Sequence, residues 1–243
     1  MSVYQEPRFL PAGDRSLVVE LGNEISPDVN RRIRDLVLAI ERRRVAGVVD
    51  LVPTYRSLLV YCDPRRVSLA ELQREIASFE RHLGETPLPP PKVVEIPTCY
   101  GGWLGPDLEF VASHCKLTPD EVVRIHAGTD YLVYMMGFTP GFTYLGGMPE
   151  RIATPRLKTP RTLIPAGSVG IAQQQTGIYP VDSPGGWQLI GRTPLRLFDP
   201  HRDPPVVVEA GDYIRFTAVD RDTYDNIERR VQEGAYRLAV RAK

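Results

Sequence analysis

The chain has 243 residues, of which 30 are Lys or Arg and 30 are Asp or Glu, so its formal net charge at pH 7 is zero. This balance argues against a dedicated nucleic-acid-binding protein, which needs an excess of basic side chains to neutralise phosphates. Hydrophobic residues make up 42% of the chain and charged residues 25%, which excludes the composition of a disordered protein.

Proline and glycine are distributed unevenly along the chain. Residues 1–84 contain five of the 23 prolines and four of the 20 glycines. A proline-rich connector follows at residues 85–92, and such a stretch behaves as a semi-rigid spacer. We therefore predict two domains, residues 1–88 and residues 89–243.

The first region is predicted to alternate strands with helices. One helix should begin after Ser26, where a capping residue precedes Pro27. A second should begin at a capping box of Ser68 and Glu71 and end at Gly84. The strand-like runs are residues 16–21, 48–52 and 57–61.

Residues 92–97 form a further apolar run, and the pattern does not decide which domain contains it. If they complete the first domain, its order is β-α-β-β-α-β, as in a ferredoxin-like fold.

The second region should begin with two short helices, 107–115 and 119–127, and a last helix is predicted at 222–232. Its other apolar runs are short and alternate with turns, which is typical of a β-barrel or sandwich. These runs are residues 131–136, 168–171, 195–198, 206–209, 213–217 and 236–240.

Residues 137–194 contain ten glycines and eight prolines in 58 positions. A stretch so poor in regular structure is either disordered or a set of loops that the surrounding structure holds in place. Aromatic residues such as Phe142, Tyr179 and Trp187 are interleaved throughout, which argues against disorder. We therefore predict fixed loops around a pocket.

The same stretch is basic, with five Arg or Lys against two acids. Arg156 and Arg161 each follow a proline, which restricts the backbone that carries the guanidinium. Two oriented arginines suit a carboxylate or a phosphate, which a planar guanidinium binds through two hydrogen bonds. The alternative is that one or both pair with acids inside the fold, and both interpretations remain open.

Other candidates carry weaker signals. Gly185 and Gly186 beside Trp187 offer backbone N–H groups to an anion or a planar substrate, or else they form a tight turn with the indole in the core. His126 lies at the end of a predicted helix, and the helix dipole would favour a protonated imidazole there. Such an imidazole could act as a proton donor or contact an anion. The alternative is a structural role.

Ser168 does not fit the G-x-S-x-G nucleophile motif. No nucleotide-binding glycine motif and no zinc-ligand spacing occurs, so no metal site is predicted.

Several linked motifs of this region resemble one family. They are Gly137-Phe138-x-Pro140-Gly141-Phe142, Pro165-Ala166-Gly167-Ser168, Gly177-Ile178-Tyr179-Pro180 and Ser183-Pro184-Gly185-Gly186-Trp187. Together they resemble the family of KipI and the B subunit of 5-oxoprolinase (PxpB), also called allophanate hydrolase subunit 1, and the likeness covers essentially the whole chain. The resemblance implies an α+β protein in which a ferredoxin-like domain precedes a cyclophilin-like β-barrel domain.

The resemblance also implies an activity and partners. It implies one component of an ATP-dependent 5-oxoprolinase, an amide (lactam) hydrolase that converts 5-oxo-L-proline to L-glutamate, and this component would be inactive alone. Its partners would be a KipA-like protein (the C subunit) and a LamB/YcsF-type protein (the A subunit), with ATP and Mg²⁺ as co-substrate and no tightly bound cofactor. Inhibition of a sporulation-type histidine kinase, or a role related to allophanate hydrolase and urea carboxylase, remains an alternative. The chain has neither a signal-peptide pattern nor a membrane-spanning apolar stretch, so we expect a cytoplasmic protein.

For this activity we predict His126, Arg156 and Arg161 as the catalytic residues. The two arginines would offset the charge on a transferring phosphoryl group or bind the substrate carboxylate. Aromatic and glycine residues of the same stretch would contact substrate or ATP, together with one hydroxyl and one further arginine. These are Phe142, Tyr144, Ser168, Tyr179, Gly185, Gly186, Trp187 and Arg192.

Overall fold

The computed structural model describes residues 3–80, 83 and 88–243. The chain divides into two compact units, Met1–Pro89 and Pro90–Lys243. Each unit contains both helices and strands, which confirms the α+β class. Among the described residues, no helix is long and apolar enough to cross a membrane. The predicted helix end at Gly84 lies outside the described residues, as does the connector at 85–87.

The first unit is a four-stranded antiparallel sheet with two helices. Its elements in chain order are β1 (Val3–Pro11), β2 (Ser16–Gly22), α1 (Pro27–Arg43), β3 (Val48–Pro53), β4 (Ser57–Cys62) and α2 (Leu69–Glu80). The strands lie in the order β1-β2-β4-β3. Apolar side chains of both helices and of the sheet are buried in one core. Leu36 of α1 and Ile76 of α2 belong to it.

Both predicted helix starts of this unit are confirmed. The Val29 backbone N–H donates to Ser26 Oγ at 3.3 Å, which caps the first turn of α1. At α2 the Glu71 N–H donates to Ser68 Oγ at 3.2 Å, and the Ser68 N–H donates to the Glu71 carboxylate at 2.9 Å. These caps satisfy backbone N–H groups that the first helical turn leaves without a partner.

The edge of this sheet differs from the ferredoxin-like order, which is therefore not confirmed. The position beside β2 is occupied by β1, which precedes β2 in the chain instead of following α2. The sequence pattern does not reveal β1, because charged residues and Pro7 interrupt its apolar alternation. An edge strand tolerates both, and the pairing of β1 shifts register between Val3 and Arg8.

The second unit is built on an eight-stranded sheet that is nearly closed into a barrel, consistent with a cyclophilin-like barrel. Its elements in chain order are β5 (Lys92–Tyr100), α3 (Leu108–Cys115), α4 (Pro119–Ala127), β6 (Asp130–Met136), β7 (Thr143–Gly146), a short 3-10 helix (Glu150–Ile152), β8 (Arg161–Ile164), β9 (Ser168–Ala172), β10 (Gln175–Ile178), β11 (Ser183–Gly185), β12 (Gln188–Arg192), β13 (Tyr213–Ala218), α5 (Arg221–Gln232) and β14 (Val240–Ala242). The sheet order is β10-β9-β12-β5-β13-β6-β7, and β14 also pairs with β5. The end strands β10 and β7 lie against each other, while β8 and β11 form a separate pair.

Strand β5 lies in this second unit, which settles the position of residues 92–97. On one side it runs parallel to β13. On the other side its first residues pair with β14 and its last residues pair with β12. Val94 and Ile96 are fully buried in the core of this unit.

The glycine- and proline-rich stretch is more regular than expected, and the prediction that it lacks regular structure is wrong. It contains six short strands, β7 to β12, of three to five residues each. Glycine is suited to such strands where another backbone approaches closely. At Gly191 of β12, for example, a Cβ would lie 2.8 Å from the carbonyl oxygen of Cys99 on β5. The predicted runs 195–198 and 206–209 are not strands and meet only in a bridge between Phe198 and Val206.

Asp130 joins three separate strands of the second unit. Its carboxylate accepts hydrogen bonds from Arg215 Nε at 2.6 Å, Lys243 Nζ at 2.6 Å and Arg241 Nη2 at 3.2 Å. Burial acts to raise the Asp130 pKa, but the hydrogen bonds from Arg215 and Lys243 outweigh it and lower the pKa to about 2. The ionised carboxylate therefore stabilises the folded unit.

We predict that Asp130→Asn lowers the free energy of unfolding by about 2 kcal/mol at pH 7, because the folded pKa is below that of an unfolded Asp. This contribution is fully present above about pH 4, the unfolded pKa, and is lost as the pH falls towards 2. Urea unfolding across this pH range measures it. Glu233→Gln, at an exposed position, is the control, and equal stability of Asp130→Asn and wild type at pH 7 would contradict the prediction.

Candidate functional site

Four aromatic side chains of the glycine-rich stretch meet in one aromatic cluster, formed by Phe142, Tyr144, Tyr179 and Trp187. The Phe142 ring lies at its centre, with centroid distances of 5.2 Å to Tyr144, 5.6 Å to Tyr179 and 5.8 Å to Trp187. All three pairs are edge-to-face, an arrangement that aromatic rings favour. Tyr144 is partly exposed and the other three are buried. The structure thus brings four of the predicted binding residues together.

Two glycines let this cluster pack directly on the sheet. Gly170 of β9 and Gly177 of β10 are paired across the two strands. A Cβ at Gly170 would lie 3.1 Å from Trp187 Cβ, and one at Gly177 would lie 3.2 Å from Trp187 Cζ3 and 3.3 Å from Phe142 Cζ. Larger residues at these positions would displace the indole from the sheet.

Gly185 and Gly186 lie beside the cluster. Gly185 belongs to β11, and a Cβ at this position would overlap the Tyr179 hydroxyl and Ile164 Cδ1. The Gly186 carbonyl accepts a hydrogen bond from the Leu157 N–H at 2.8 Å. This turn is therefore packed against both the aromatic cluster and the loop that carries Arg156.

Arg161 pairs with an acid inside the fold, which is the alternative that the sequence left open. Its Nη2 lies 2.8 Å from Asp107 Oδ1, and its Nη1 donates to the Trp187 carbonyl at 3.3 Å. Asp107 Oδ2 also accepts the Leu189 N–H at 2.6 Å. Arg161 and Asp107 together hold residues 187–189 in position beside the aromatic cluster.

Arg156 is placed differently. It is exposed and has no ion-pair or hydrogen-bond partner among the described residues. The backbone on both sides is held, because the Pro155 carbonyl accepts from Gln188 Nε2 at 2.9 Å and the Leu157 N–H donates to Gly186. Burial raises the Tyr179 pKa and the positive charge of Arg156 opposes this shift. An unpaired cation is thus carried next to the aromatic cluster by a backbone that is held on both sides.

His126 is fully buried, and its two ring nitrogens are both hydrogen-bonded. Nδ1 lies 2.7 Å from the Tyr100 hydroxyl, and Nε2 lies 2.8 Å from Thr176 Oγ1. The Thr176 hydroxyl donates to the Gly170 carbonyl at 3.0 Å, so it accepts from Nε2–H, and Nδ1 accepts from Tyr100. Burial lowers the His126 pKa to about 3. The expected protonated imidazole is therefore wrong, because desolvation outweighs the helix dipole.

Ser168 and Arg192 face each other on the paired strands β9 and β12. Within the described residues, Ser168 Oγ and Arg192 Nε are buried without a hydrogen-bond partner. Arg192 borders a cavity of about 650 Å³, which none of the other predicted site residues borders. Tyr224 and Glu228 of α5 also border this cavity. Sequence reasoning missed both, and the available signal was their four-residue spacing, which places them on one face of a helix.

The arrangement offers two kinds of binding chemistry. Arg156 beside the aromatic cluster is suited to an anion that adjoins a planar group. Arg192, with the phenol of Tyr224 and the carboxylate of Glu228, is suited to a small molecule that carries a carboxylate and a hydrogen-bond donor. In the part of the chain that the structure describes, no three His, Cys, Asp or Glu side chains are grouped as metal ligands.

Comparison with known proteins defines the class and then the family. The family model for the carboxyltransferase domain, subdomain C and D, matches residues 7–208, so most of each unit belongs to this class of domain. The B subunit of 5-oxoprolinase from Bacillus subtilis (strain 168) is 43% identical over 222 residues, which are 87% of this chain and 92% of that protein. The chain belongs to the family of 5-oxoprolinase B subunits.

Two longer proteins are similar over part of their length. The crystal structure of TTHA0988 is 38% identical with a TM-score of 0.76, and the match covers 85% of this chain and 40% of that chain. Urea amidolyase of Saccharomyces cerevisiae is 23% identical, covering 96% of this chain and 14% of that protein. This chain therefore spans less than half the length of either protein.

The packing of the glycine turn can be tested with two neighbouring substitutions. We expect Gly185→Ala to lower the free energy of unfolding by about 1–3 kcal/mol, because the new Cβ overlaps the buried Tyr179 hydroxyl and Ile164. Gly186→Ala is the matched control, since its Cβ would be 3.7 Å from the nearest atoms, those of Pro160. Denaturant unfolding of both variants measures the difference, and equal stability of the two would show that the turn is not closely packed.

The buried neutral His126 predicts a pH dependence. Its pKa is about 6.5 when unfolded and about 3 when folded, so the unfolded chain binds the extra proton between these values. Stability should fall as the pH is lowered from 6.5 towards 3, by up to about 1.4 kcal/mol per pH unit. In His126→Gln this part of the slope should vanish, although the variant is less stable at pH 7. His201→Gln, at an exposed position, should keep the wild-type slope, and an unchanged slope in His126→Gln would refute the assignment.

Proposed function

We propose that this chain is the B subunit of an ATP-dependent 5-oxoprolinase, which hydrolyses 5-oxo-L-proline to L-glutamate. The observation that carries the proposal is the 43% identity with the Bacillus subtilis protein over 92% of its length. A KipA-like C subunit and a LamB/YcsF-type A subunit are the proposed partners, and this chain would be inactive alone. Residues 1–88 and 89–243 are the proposed ferredoxin-like and cyclophilin-like domains of a cytoplasmic protein.

The chemistry explains the need for ATP. A lactam carbon is a poor electrophile, and transfer of the γ-phosphoryl group to the lactam oxygen activates it. Water then adds to the ring carbon, the C–N bond breaks, and a second water releases phosphate, which leaves glutamate, ADP and phosphate as products. Groups that offset negative charge on the transferring phosphoryl group lower the barrier of the first step.

Arg156 is the residue of this chain best placed for that role. Its guanidinium has no partner among the described residues, and its backbone is held on both sides beside the aromatic cluster. Arg161 has a different proposed role, since its pairing with Asp107 positions the backbone at Trp187 and Leu189. ATP would bring its own Mg²⁺, and no residue set for the metal is proposed within this chain.

The role of Arg156 is tested in the complex reconstituted from this chain and its two partners. We expect Arg156→Ala to reduce ATP-dependent glutamate formation about 10- to 1000-fold without changing the free energy of unfolding, because an exposed side chain is removed from the phosphoryl site. Arg161→Ala should reduce both glutamate formation and the free energy of unfolding, since it leaves the Asp107 carboxylate without its ion-pair partner. Arg151→Ala, at another exposed arginine of the same stretch, is the control. Wild-type activity of Arg156→Ala would exclude the assignment.

A second candidate is carboxyl transfer linked to urea. The observation that favours it is the carboxyltransferase family model, together with the similarity of the whole chain to one part of a urea amidolyase. The chain contains no Met-Lys-Met biotinylation sequence, so biotin would be carried by another protein. Assays of the complex on 5-oxoproline and on urea, each with and without ATP, distinguish the two functions.

A further inference from the structure

Trp103 presents its indole to solvent from the loop between β5 and α3. The side chain is 65% exposed, while Trp187, the only other tryptophan of the chain, is 7% exposed and lies in the aromatic cluster. A single exposed apolar side chain is common on protein surfaces. Trp103 differs from such a residue in how its loop is held and in what lies against its ring.

The loop that carries Trp103 is fixed to the barrel on both sides of the indole. The Gly101 N–H donates to the Ile190 carbonyl at 3.0 Å, and the Gly105 N–H donates to the Gly101 carbonyl at 2.8 Å. A Cβ at Gly105 would overlap the Ile190 carbonyl, so the loop lies directly on β12. Leu104, the next residue, is 3% exposed. Because this backbone is already held in place, little conformational entropy is lost when another molecule covers the indole.

Two arginines from different elements lie against the Trp103 ring. The guanidinium carbon of Arg221, at the start of α5, is 4.8 Å from the ring centre. That of Arg192, at the end of β12, is 5.5 Å from it. Cation–π contacts of this kind attract the guanidinium groups to the ring. We call Trp103, Arg192 and Arg221 the Trp103 patch.

The Trp103 patch keeps one guanidinium without an acidic partner. Arg221 pairs with Asp225 at 2.9 Å, and both side chains of this pair are about half exposed. Arg192 makes no ion pair and no hydrogen bond to the described residues, and its Nε is buried. A partly desolvated cation without a partner is costly. A carboxylate from another molecule would complete the Arg192 guanidinium.

The combination of an indole and guanidinium groups favours a protein partner. Tryptophan and arginine are enriched among the residues that dominate binding at protein interfaces. A free anion would contact the guanidinium groups and leave the indole in water. A protein surface with carboxylates around an apolar recess contacts both, since the recess takes the ring and a carboxylate pairs with Arg192.

Relatives of this chain associate with further protein. The similar Bacillus subtilis protein is named as a subunit, and the part similar to this chain makes up 40% of the TTHA0988 chain. We propose that the Trp103 patch docks a partner subunit of the 5-oxoprolinase, through a face of that subunit that presents carboxylates around an apolar recess. This assignment rests on the proposed function, which supplies the C and A subunits as partners.

The fluorescence of Trp103 tests whether the patch is covered. Acrylamide should quench mainly Trp103 in the free chain, because Trp187 is buried. The full chain is titrated with the purified C subunit and, separately, with the A subunit. The same titration of Trp103→Phe gives the signal of all other tryptophans, and the difference isolates Trp103. We expect the subunit that binds to shift the Trp103 emission to shorter wavelength and to protect it from acrylamide. The proposal is overturned if neither subunit binds, or if Trp103 is quenched equally in the complex and in the free chain.

Variants of the patch measure its share of the affinity. By calorimetric titration, Trp103→Ala should weaken binding of that subunit at least about 30-fold, and Arg192→Gln and Arg221→Gln about 10-fold each. Arg221→Gln stays informative if Arg192→Gln disturbs folding, because Arg221 is exposed. Phe110→Ala, which removes another exposed aromatic ring, and Arg229→Gln, at an exposed position of α5, are the controls and should bind as wild type. Wild-type affinity in Trp103→Ala and Arg221→Gln refutes the docking surface.

Two further measurements separate this proposal from its alternatives. If size-exclusion chromatography shows that the wild-type chain self-associates and Trp103→Ala does not, the patch contacts a second copy of this chain and the proposal fails. If a partner subunit docks on the patch but the reconstituted complex forms no glutamate from 5-oxo-L-proline, the docking surface stands and the proposed function fails. If the complex forms glutamate and Trp103→Ala binds both subunits as wild type, the function stands and the docking surface fails.

Discussion

The second unit depends on the backbone pairing of β5. This strand of nine residues pairs with β13 along one side, and with β14 and β12 at the two ends of the other side. Its last residues connect the barrel to Arg192 and to the buried His126. Cys99 pairs with Arg192 across the strands, and the Tyr100 hydroxyl reaches His126. The position of Arg192 at the cavity therefore follows from the central strand of the sheet.

Hydrogen-bond satisfaction separates structural residues from candidate binding residues. His126, Asp107 and Asp130 are ionisable, yet each has its polar atoms paired with other residues of the second unit. A group that is already paired and desolvated has little capacity left for a ligand, and breaking its contacts costs about 1–3 kcal/mol each. Arg156 and Arg192 have no such pairing among the described residues. The two arginines are therefore the better candidates for contact with a ligand or a partner protein.

Sequence reasoning predicted the features that depend on residues close together in the chain, and it missed those that depend on distant residues. Helix starts depend on contacts three residues apart, and the caps at Ser26 and Ser68 were predictable for that reason. The strands of the glycine-rich stretch could not be predicted from the sequence, because three to five residues show little periodicity. Glycine within a strand also depends on which backbone or side chain packs against it, and the sequence does not show this. The edge strand β1 could not be predicted either, since its charged residues are typical of a loop and its pairing with β2 is not visible in the sequence.

By itself the sequence determined the helices, the division in composition near residue 85 and the family, because these depend on residue types within short segments. Only the tertiary structure decided which ionisable side chains are free. Arg161 meets Asp107 across 54 residues, and His126 meets Thr176 across 50. Burial and pairing at such separations follow from the three-dimensional packing, so no local pattern could show that His126 is neutral, or that Arg192, Tyr224 and Glu228 border one cavity.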